Sequence, residues 1–358
     1  MWSYRLSALK YLSVLSLPLT VVLAFSLQGY WVWLPLVYTF GMIPLLELMV
    51  GAGGGNLEAA EEELVRKDPF YDWLLYLFVP LQYVFLGWFL WLIANGEFTG
   101  WEHYGLILSM GLMCGTIGIN LGHELGHRVK KNERRLAKVL LLSSLYMHFY
   151  IEHNRGHHKR VATEEDPATS RRGENVYRFW LRSIWFSYKS AWDLEADRLR
   201  KRRLPFWSHH NEMLMFQVIQ LGFLAAIWLA FGWVAMLSFI AAAIIGIQLL
   251  ETVNYIEHYG LAREEIAENK FERVQPHHSW NSNHIIGRML LFELSRHSDH
   301  HFMASRKYQI LRHFEDAPQM PTGYPGMMIL SLIPPLWFRV MHQEIEKVEN
   351  RQHMIAPV

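Results

Sequence analysis

Six stretches of the chain are almost entirely apolar, and each is about as long as a helix that crosses a bilayer. Such a helix needs about 20 residues to cross a hydrocarbon layer ~30 Å thick. The stretches cover approximately residues 6–27, 30–50, 70–94, 104–121, 213–231 and 234–255. Lys10 is the only lysine or arginine in them, whereas a helix of a soluble bundle shows a polar stripe at every turn. The pattern predicts an all-α membrane protein with six transmembrane helices.

The segments between these stretches alternate in length, which predicts how the chain is threaded. Short turns at 28–29, 95–100 and 232–233 join neighbouring spans, whereas segments 51–69, 122–212 and 256–358 are long and charged. With six spans, the long segments and both termini fall on one side of the membrane. Segment 122–212 carries 19 of the 34 lysines and arginines, so we expect this side to be cytoplasmic. We interpret the first stretch as a retained span and not a removed signal peptide.

Composition changes this picture in two ways. The chain has 358 residues, of which 51% are hydrophobic and 19% charged, yet its mean hydropathy is only +0.05. We therefore expect one membrane-embedded domain over residues 1–358, in which a polar cap of helices and loops, built from 122–212 and 256–358, balances the spans. The net charge of +1 gives no indication of nucleic-acid binding. The single cysteine, Cys114, excludes disulfides, cysteine-ligated zinc and iron–sulfur clusters within the chain.

The chain has 19 histidines, and eight of them fall in three short blocks at the span ends or in the polar segments. Block 123–127 (HELGH) places two histidines at i and i+4, which share one helical face. Block 152–158 (EHNRGHH) repeats this spacing in its first two histidines and turns the third to an adjacent face, and block 296–301 (RHSDHH) has i, i+3 and i+4 spacing. With one histidine that follows the sixth span, the candidate metal ligands are His123, His127, His153, His157, His158, His258, His297, His300 and His301.

Nine imidazoles at one membrane face exceed what a single metal ion binds, since zinc takes about four ligands and an octahedral ion six. The sequence therefore predicts at least two metal ions, at a site that an apolar substrate reaches from the bilayer. Imidazole suits iron, zinc, copper and nickel, so the residues alone leave the metal open. HELGH is also the HExxH pattern of zinc proteases, with Glu124 as general base, but a protease would leave most of the histidines unused.

Acidic and amide side chains near the blocks are candidates to accept a hydrogen bond from the distal ring nitrogen of a ligand histidine. Each carboxylate could equally be a solvated or helix-capping group. The candidates are Glu124, Glu152, Asp166, Glu251, Asn254, Glu257, Asn281 and Asp299.

The blocks HELGH, EHNRGHH, NYIEHYG and LSRHSDHH resemble those of the integral-membrane alkane 1-monooxygenases of bacteria. The resemblance extends through 272–284 and 317–326 and covers nearly the whole chain. It implies a multi-pass enzyme of the bacterial inner membrane that hydroxylates the terminal C–H bond of linear alkanes. It also implies a non-haem centre of two iron ions that uses O2, with the nine histidines above as ligands. Electrons would come from rubredoxin, which a flavin-dependent reductase reduces with NADH.

A linear alkane has no polar group, so its pocket must be a narrow apolar channel. Span four carries Gly111, Gly115 and Gly118, which either leave room for the substrate or let helices pack closely. Bulky residues of span two are candidates to limit the chain length of the substrate. The same span contains an acidic residue, and because an acid inside a membrane span is costly, a functional role is favoured for it. These residues are Phe40, Leu45, Met49 and the acid Glu47.

A run of basic residues is a candidate docking surface for an acidic electron carrier. It could equally set the topology or contact anionic lipids. The residues are Arg171, Arg172, Arg200, Lys201, Arg202 and Arg203.

Three other classes of protein fit parts of the pattern. Fatty-acyl desaturases and hydroxylases have similar histidine boxes at different spacing, and xylene-type monooxygenases share more of the pattern. An intramembrane zinc protease would need only HELGH and one further ligand. A metal transporter would need ligands spread through the spans, whereas these lie at one face.

Overall fold

The computed structural model describes residues 7–53, 55–268 and 270–355. Leu6 and Val358, the predicted limits of the first span and of the domain, lie outside these residues. The described chain is helical as predicted, and its strands are limited to the antiparallel pair β1 (Glu265–Ala267) and β2 (Lys270–Phe271). The helices are α1 (Leu9–Leu27), α2 (Gly29–Val50), α3 (Ala59–Lys67), α4 (Pro69–Asn95), α5 (Gly100–Gly126), α6 (Lys131–Leu142), α7 (149–160), α8 (Val176–Lys201), α9 (Glu212–His258), α10 (Ile285–Leu290), α11 (His297–Phe302), α12 (Tyr324–Ser331) and α13 (Pro334–Ile355).

Among the described residues, five helices are long and apolar enough to cross a membrane: α1, α2, α4, α5 and α9. The 47 residues of α9 do not form one straight helix, since its first residue, Glu212, binds Arg155 at 2.8 Å and its last residue, His258, clusters with His157. Gly232 interrupts it with a φ of 86°, at the break predicted between the fifth and sixth stretches. Each half of α9 is long enough to cross separately, and the count of six crossings stays a prediction.

Helices α5 and α9 approach each other closely because small residues meet at their contact. A Cβ atom on Gly111 would lie 2.6 Å from Cγ2 of Ile245, and one on Gly246 would lie 2.7 Å from Cβ of Cys114. Such close approach between apolar helices depends on small residues. Both helices continue past their apolar stretches into the histidine blocks, so close packing brings His123 of α5 and His258 of α9 to the same end of the bundle.

Short π-helical turns interrupt three helices of the described chain, α2 at Tyr38–Met42, α5 at Cys114–Ile119 and α7 at His153–His157. A π-helical turn bonds residue i to i+5 and therefore rotates the side chains that follow it relative to an α-helix. Such turns are frequent at functional sites. Periodicity in the sequence does not reveal them, and each changes which side chains share a face.

Candidate metal centre

The structure brings all nine candidate histidines together where α5, α7, α9 and α11 meet. In each cluster, one possible ligand atom per residue lies within 4.8 Å of the others. The five-histidine group consists of His123, His127, His153, His158 and His300. His157 and His301 form a cluster with His258, and His258 forms a further cluster with His297 and Glu257. The four histidines of these two overlapping clusters are called the four-histidine group: His157, His258, His297 and His301.

Ring nitrogens face each other within both groups. In the five-histidine group, the Nε2 atom of His153 lies 3.1 Å from that of His127 and 3.0 Å from that of His158. The Nε2 atoms of His123 and His300 are 2.9 Å apart. In the four-histidine group, the corresponding distances are 3.2 Å for His157 and His301 and 3.3 Å for His258 and His297.

This spacing fits donors bound to a metal ion. Neighbouring nitrogens on an ion with metal–nitrogen bonds of about 2.0–2.1 Å lie about 3 Å apart when they subtend a right angle. A neutral imidazole nitrogen carries either a hydrogen or a lone pair, so hydrogen bonds alone cannot satisfy several Nε2 atoms that converge on one point. The donor set therefore fits two ions, one in each group, as the number of histidines predicts.

Helix α7 supplies both groups because of its π-helical turn. The expected i, i+4 spacing would place His153 and His157 on one face and His158 on the next. In the structure, His153 joins His158 in the five-histidine group, and His157 belongs to the four-histidine group. The π-helical turn His153–His157 explains the difference, because it aligns residues that are five positions apart.

Burial favours the neutral, metal-binding form of most of these histidines. It lowers the pKa of His127 to about 3 and lowers the pKa of His153, His158 and His300 well below the usual value. At His157 burial acts in the same direction, but the neighbouring charge of Asp166 and its hydrogen bond outweigh it and raise the pKa. Neutral imidazole is the form that binds metal ions.

Two of the predicted acidic partners contact ligand histidines. Asp166 accepts a hydrogen bond from Nδ1 of His157 at 2.8 Å, as expected for an acceptor at the distal ring nitrogen. Glu257 is predicted at a distal ring nitrogen as well, but its Oε2 lies 3.1 Å from Nε2 of His297. This Nε2 is the nitrogen that faces His258. Glu257 therefore lies on the ligand side of the four-histidine group. The hydroxyl of Tyr324 donates to its other oxygen at 2.7 Å.

The other six predicted acceptors bond to different groups, and for three of them the partner is a nearby arginine. Glu124 pairs with Arg128, Glu152 with Arg160, and Asp299 with Arg306. Glu251 accepts from Tyr146 and Asn254, and Asn281 lies against His313 and Gln319. Since Arg128 and the backbone N–H of Tyr308 both bind Glu124, this carboxylate is not free to act as the general base of a protease.

An apolar cavity lies between the membrane-spanning helices and the histidines. Its metal end is formed by His123, His153 and His297, and its other walls include Phe40 of α2 and Gly115 of α5. Side chains of α9, α12 and the segment after α10 close it. The residues that line it but were not predicted include Thr39, Leu249, Val253, Leu291, Leu294, Tyr324 and Met328. Leu249 and Val253 are four residues apart on α9, a helical spacing that could have indicated them.

The remaining channel candidates lie outside this cavity. Leu45 and Met49 are 63% and 82% exposed on the outer face of α2, because at about 100° per residue both lie on the side of the helix opposite Phe40. Gly111 packs against Ile245 of α9, and Gly118 packs against Ser144, as the alternative of close helix packing describes. Glu47 is buried against Gly287 and Gly323 of the cap.

The candidate docking residues are all exposed on the cap. Arg200 and Lys201 end α8, Arg202 and Arg203 follow it, and Arg171 and Arg172 lie before its start. Some of these charges have acidic neighbours, since Arg200 pairs with Asp197 and Arg172 with Glu349.

Comparison with known proteins adds independent information. A model of the fatty acid desaturase family matches residues 99–342. The chain is 39% identical to alkane 1-monooxygenase 2 of Pseudomonas aeruginosa over 352 residues, which covers 96% of this chain and 93% of that protein. It is 44% identical to an alkane 1-monooxygenase of Pseudomonas putida over 312 residues, with coverage of 87% and 77%. The hydroxylase component of xylene/toluene monooxygenase of Pseudomonas putida is 30% identical over 325 residues, with coverage of 89% and 84%.

Proposed function

The chain belongs to the alkane 1-monooxygenases and to the wider fatty acid desaturase family, and on this premise we propose that it hydroxylates the terminal C–H bond of linear alkanes. It is an oxidoreductase with several membrane-crossing helices and a histidine-rich metal site. The apolar cavity that ends at His123, His153 and His297 is the observation that carries the choice of substrate. An alkane chain fills such a cavity lengthwise, and only its terminal carbon reaches the histidines.

We propose two non-haem iron ions as the cofactor, one held by the five-histidine group and one by the four-histidine group with Glu257 beside it. Bound iron supplies the activation of O2, from which one oxygen atom enters the substrate and the other leaves as water. The chain itself contributes the geometry, because Phe40, Gly115 and Leu249 line the cavity and exclude water from the apolar substrate.

The direct test uses purified, iron-loaded protein with rubredoxin, its NADH-dependent flavin reductase and O2. We expect 1-octanol from octane, identified by gas chromatography, and little product from an acyl lipid. Preferential oxidation of a methylarene would instead favour the xylene-type activity, and a desaturated acyl chain would favour a desaturase. Metal analysis separates the third alternative, since one zinc ion per chain would indicate a protease.

Phe40 is expected to limit the length of the substrate. Replacing it by serine removes most of a large side chain from the cavity wall, so Phe40→Ser should shift the product profile toward longer alkanes. The profile is measured with an equimolar mixture of alkanes of increasing length. Leu48→Ser, on the exposed face of the same helix, is the matched control and should keep the original profile. An unchanged profile in Phe40→Ser would remove this residue from the channel.

We propose that rubredoxin docks on the exposed basic residues near the end of α8, on the cytoplasmic side of the inner membrane. The excess of lysine and arginine in segment 122–212 supports this orientation, because such loops stay inside. Rubredoxin is expected to be acidic where it binds, so opposite charges would speed its encounter with the cap.

Reversal of two docking charges tests this surface. The double variant Arg202→Glu with Arg203→Glu should lower rubredoxin-driven turnover and weaken its dependence on salt, with the iron content unchanged. The matched control reverses Lys130 and Lys131, another exposed pair of adjacent cations at the start of α6. Equal turnover in both double variants would place the docking surface elsewhere on the cap.

A further inference from the structure

The proposed reaction consumes protons that the apolar cavity does not supply. An alkane and O2 become an alcohol and water by taking up two electrons, which the electron carrier provides, and two protons, which come from solvent. The walls of the substrate cavity are almost entirely apolar, and its metal end is buried beneath the cap. Protons therefore need a polar path through the protein that is separate from the path of the substrate.

A second, small cavity lies directly beside the first and has both polar and apolar walls. Ser187 and Glu251 contribute to its walls, and it has room for about one water molecule. Phe149, His153 and Asn254 line both this cavity and the apolar cavity. A proton in the small cavity is thus separated from the metal end of the substrate cavity by a single layer of side chains.

A face of buried serines on α8 connects the small cavity to the surface. Ser183, Ser187 and Ser190 are spaced at i, i+4 and i+7 and therefore share one side of the helix. At the surface, Ser190 lines an open groove on the cap and binds Arg160. Further in, Ser187 lines the small cavity, and Ser183 lies next to Glu251. Side chains one helical turn apart have Cβ atoms about 5–6 Å from each other, a gap that one water molecule can bridge.

Glu251 stands at the inner end of this face and has the bonding of a group that can pass a proton. It is almost completely buried, and its carboxyl oxygens accept from the hydroxyl of Tyr146 at 2.9 Å and from the amide of Asn254 at 3.4 Å. Within the described part of the chain it forms no ion pair, in contrast to Glu152, which binds Arg160. A proton can therefore enter and leave Glu251 without breaking a salt bridge.

We propose that the serine face of α8, the small cavity and Glu251 form the route by which solvent protons reach the metal end of the substrate cavity, with Glu251 as the proton-relay residue. A proton enters at Ser190 and crosses the small cavity through water and Glu251. It then moves past Asn254, which lines both cavities, and reaches the oxygen atom that leaves as water. The demand for protons rests on the proposed monooxygenase function, whereas the route is a property of the folded chain.

The first test replaces the relay carboxyl by an amide of the same shape. Glu251→Gln should lower kcat for octane about 10-fold, less than the ~100-fold that a general acid typically contributes, since water can partly bypass the relay. The iron content should stay unchanged and the solvent deuterium isotope effect on kcat should rise. Glu251→Asp, which keeps the carboxyl, should recover part of the rate. Thr252→Val alters the next residue of α9 outside the route and should keep the original isotope effect.

The second test follows the route without any turnover. The infrared band of the Glu251 carboxyl, identified as the difference between the original protein and Glu251→Gln, should exchange rapidly after transfer to deuterated water. Ser187→Val fills the small cavity and should slow this exchange at least 10-fold relative to Ser187→Ala, which leaves the space open. This comparison needs neither iron nor an electron carrier.

Each outcome decides the proposal. Equal exchange rates in the two Ser187 variants would overturn it, and so would an unchanged rate and isotope effect in Glu251→Gln. A slower Glu251→Gln enzyme that has lost iron in proportion would show a structural role and would also overturn it. If the original protein fails to hydroxylate alkanes but its carboxyl exchange depends on Ser187, the proposed function fails while the proton route stands.

Discussion

Replacing His258 by alanine is expected to abolish alkane hydroxylation, with a loss of at least about 100-fold, and to lower bound iron from two ions per chain to one or fewer. His258 lies at the end of α9, and its Nε2 faces that of His297 at 3.3 Å. Its ring also contacts those of His157 and His301. Removal of this donor leaves the four-histidine group with three imidazoles, while every member of the five-histidine group remains.

Iron per chain is measured by elemental analysis, and hydroxylation is measured as 1-octanol formed from octane. His209→Ala is the matched control, because His209 is an exposed histidine outside both groups, and this variant should retain iron and activity. Full activity in His258→Ala would show that this histidine is not a ligand.

The second large effect is expected at Asp166, which acts through a ligand histidine. Its Oδ2 accepts from Nδ1 of His157 and also from the hydroxyl of Thr169 at 2.6 Å, so the carboxylate is held in place. The bond keeps the hydrogen on Nδ1 and directs the lone pair of Nε2 toward the four-histidine group. Asp166→Asn removes the negative charge behind this histidine and should weaken iron binding about 10- to 100-fold.

Iron affinity of this variant is determined by competition with a chelator of known strength, alongside turnover with octane. Glu165→Gln makes the same carboxylate-to-amide change at the neighbouring, exposed position and should leave both quantities unchanged. If Asp166→Asn binds iron as tightly as the original protein, the hydrogen bond to His157 serves only the packing of the loop.

The histidine cluster shows how much of the metal site can be predicted from the sequence. Helical spacing within each block, together with the position of the blocks at a span end or in polar segments on one side of the membrane, predicts that the nine side chains converge. It does not predict how they divide into two groups. That division depends on the π-helical turn His153–His157, which adds no recognisable residue type to the sequence.

The substrate channel illustrates a second limit of the sequence. Phe40, Leu45 and Met49 are all bulky residues of one apolar stretch. At about 100° per residue, Leu45 and Met49 lie on the side of α2 opposite Phe40, so helical spacing separates the two faces. An entirely apolar stretch does not show which of its faces meets the rest of the protein, and so the sequence does not reveal which of these residues lines the cavity.

The acidic partners show a third limit, which concerns competition between two possible partners for one carboxylate. Glu152 and Asp299 lie next to ligand histidines along the chain, yet both pair with arginines. A buried carboxylate gains more from a charged donor than from a neutral imidazole, so the arginines determine its partner. A carboxylate that lies next to a ligand histidine in the sequence therefore need not bond to that histidine.

Helix α7 and helix α11 each contribute histidines to both groups. On α7, His153 and His158 belong to the five-histidine group and His157 to the four-histidine group. On α11, His300 belongs to the five-histidine group and His301 to the four-histidine group. The two proposed ions therefore share these two helices, although α5 supplies only the five-histidine group and α9 only the four-histidine group. We expect iron loading to be a concerted step of biogenesis, in which the first ion orders the two helices that the second requires. A cell short of iron would then contain fully loaded and empty enzyme, with few chains caught between the two states.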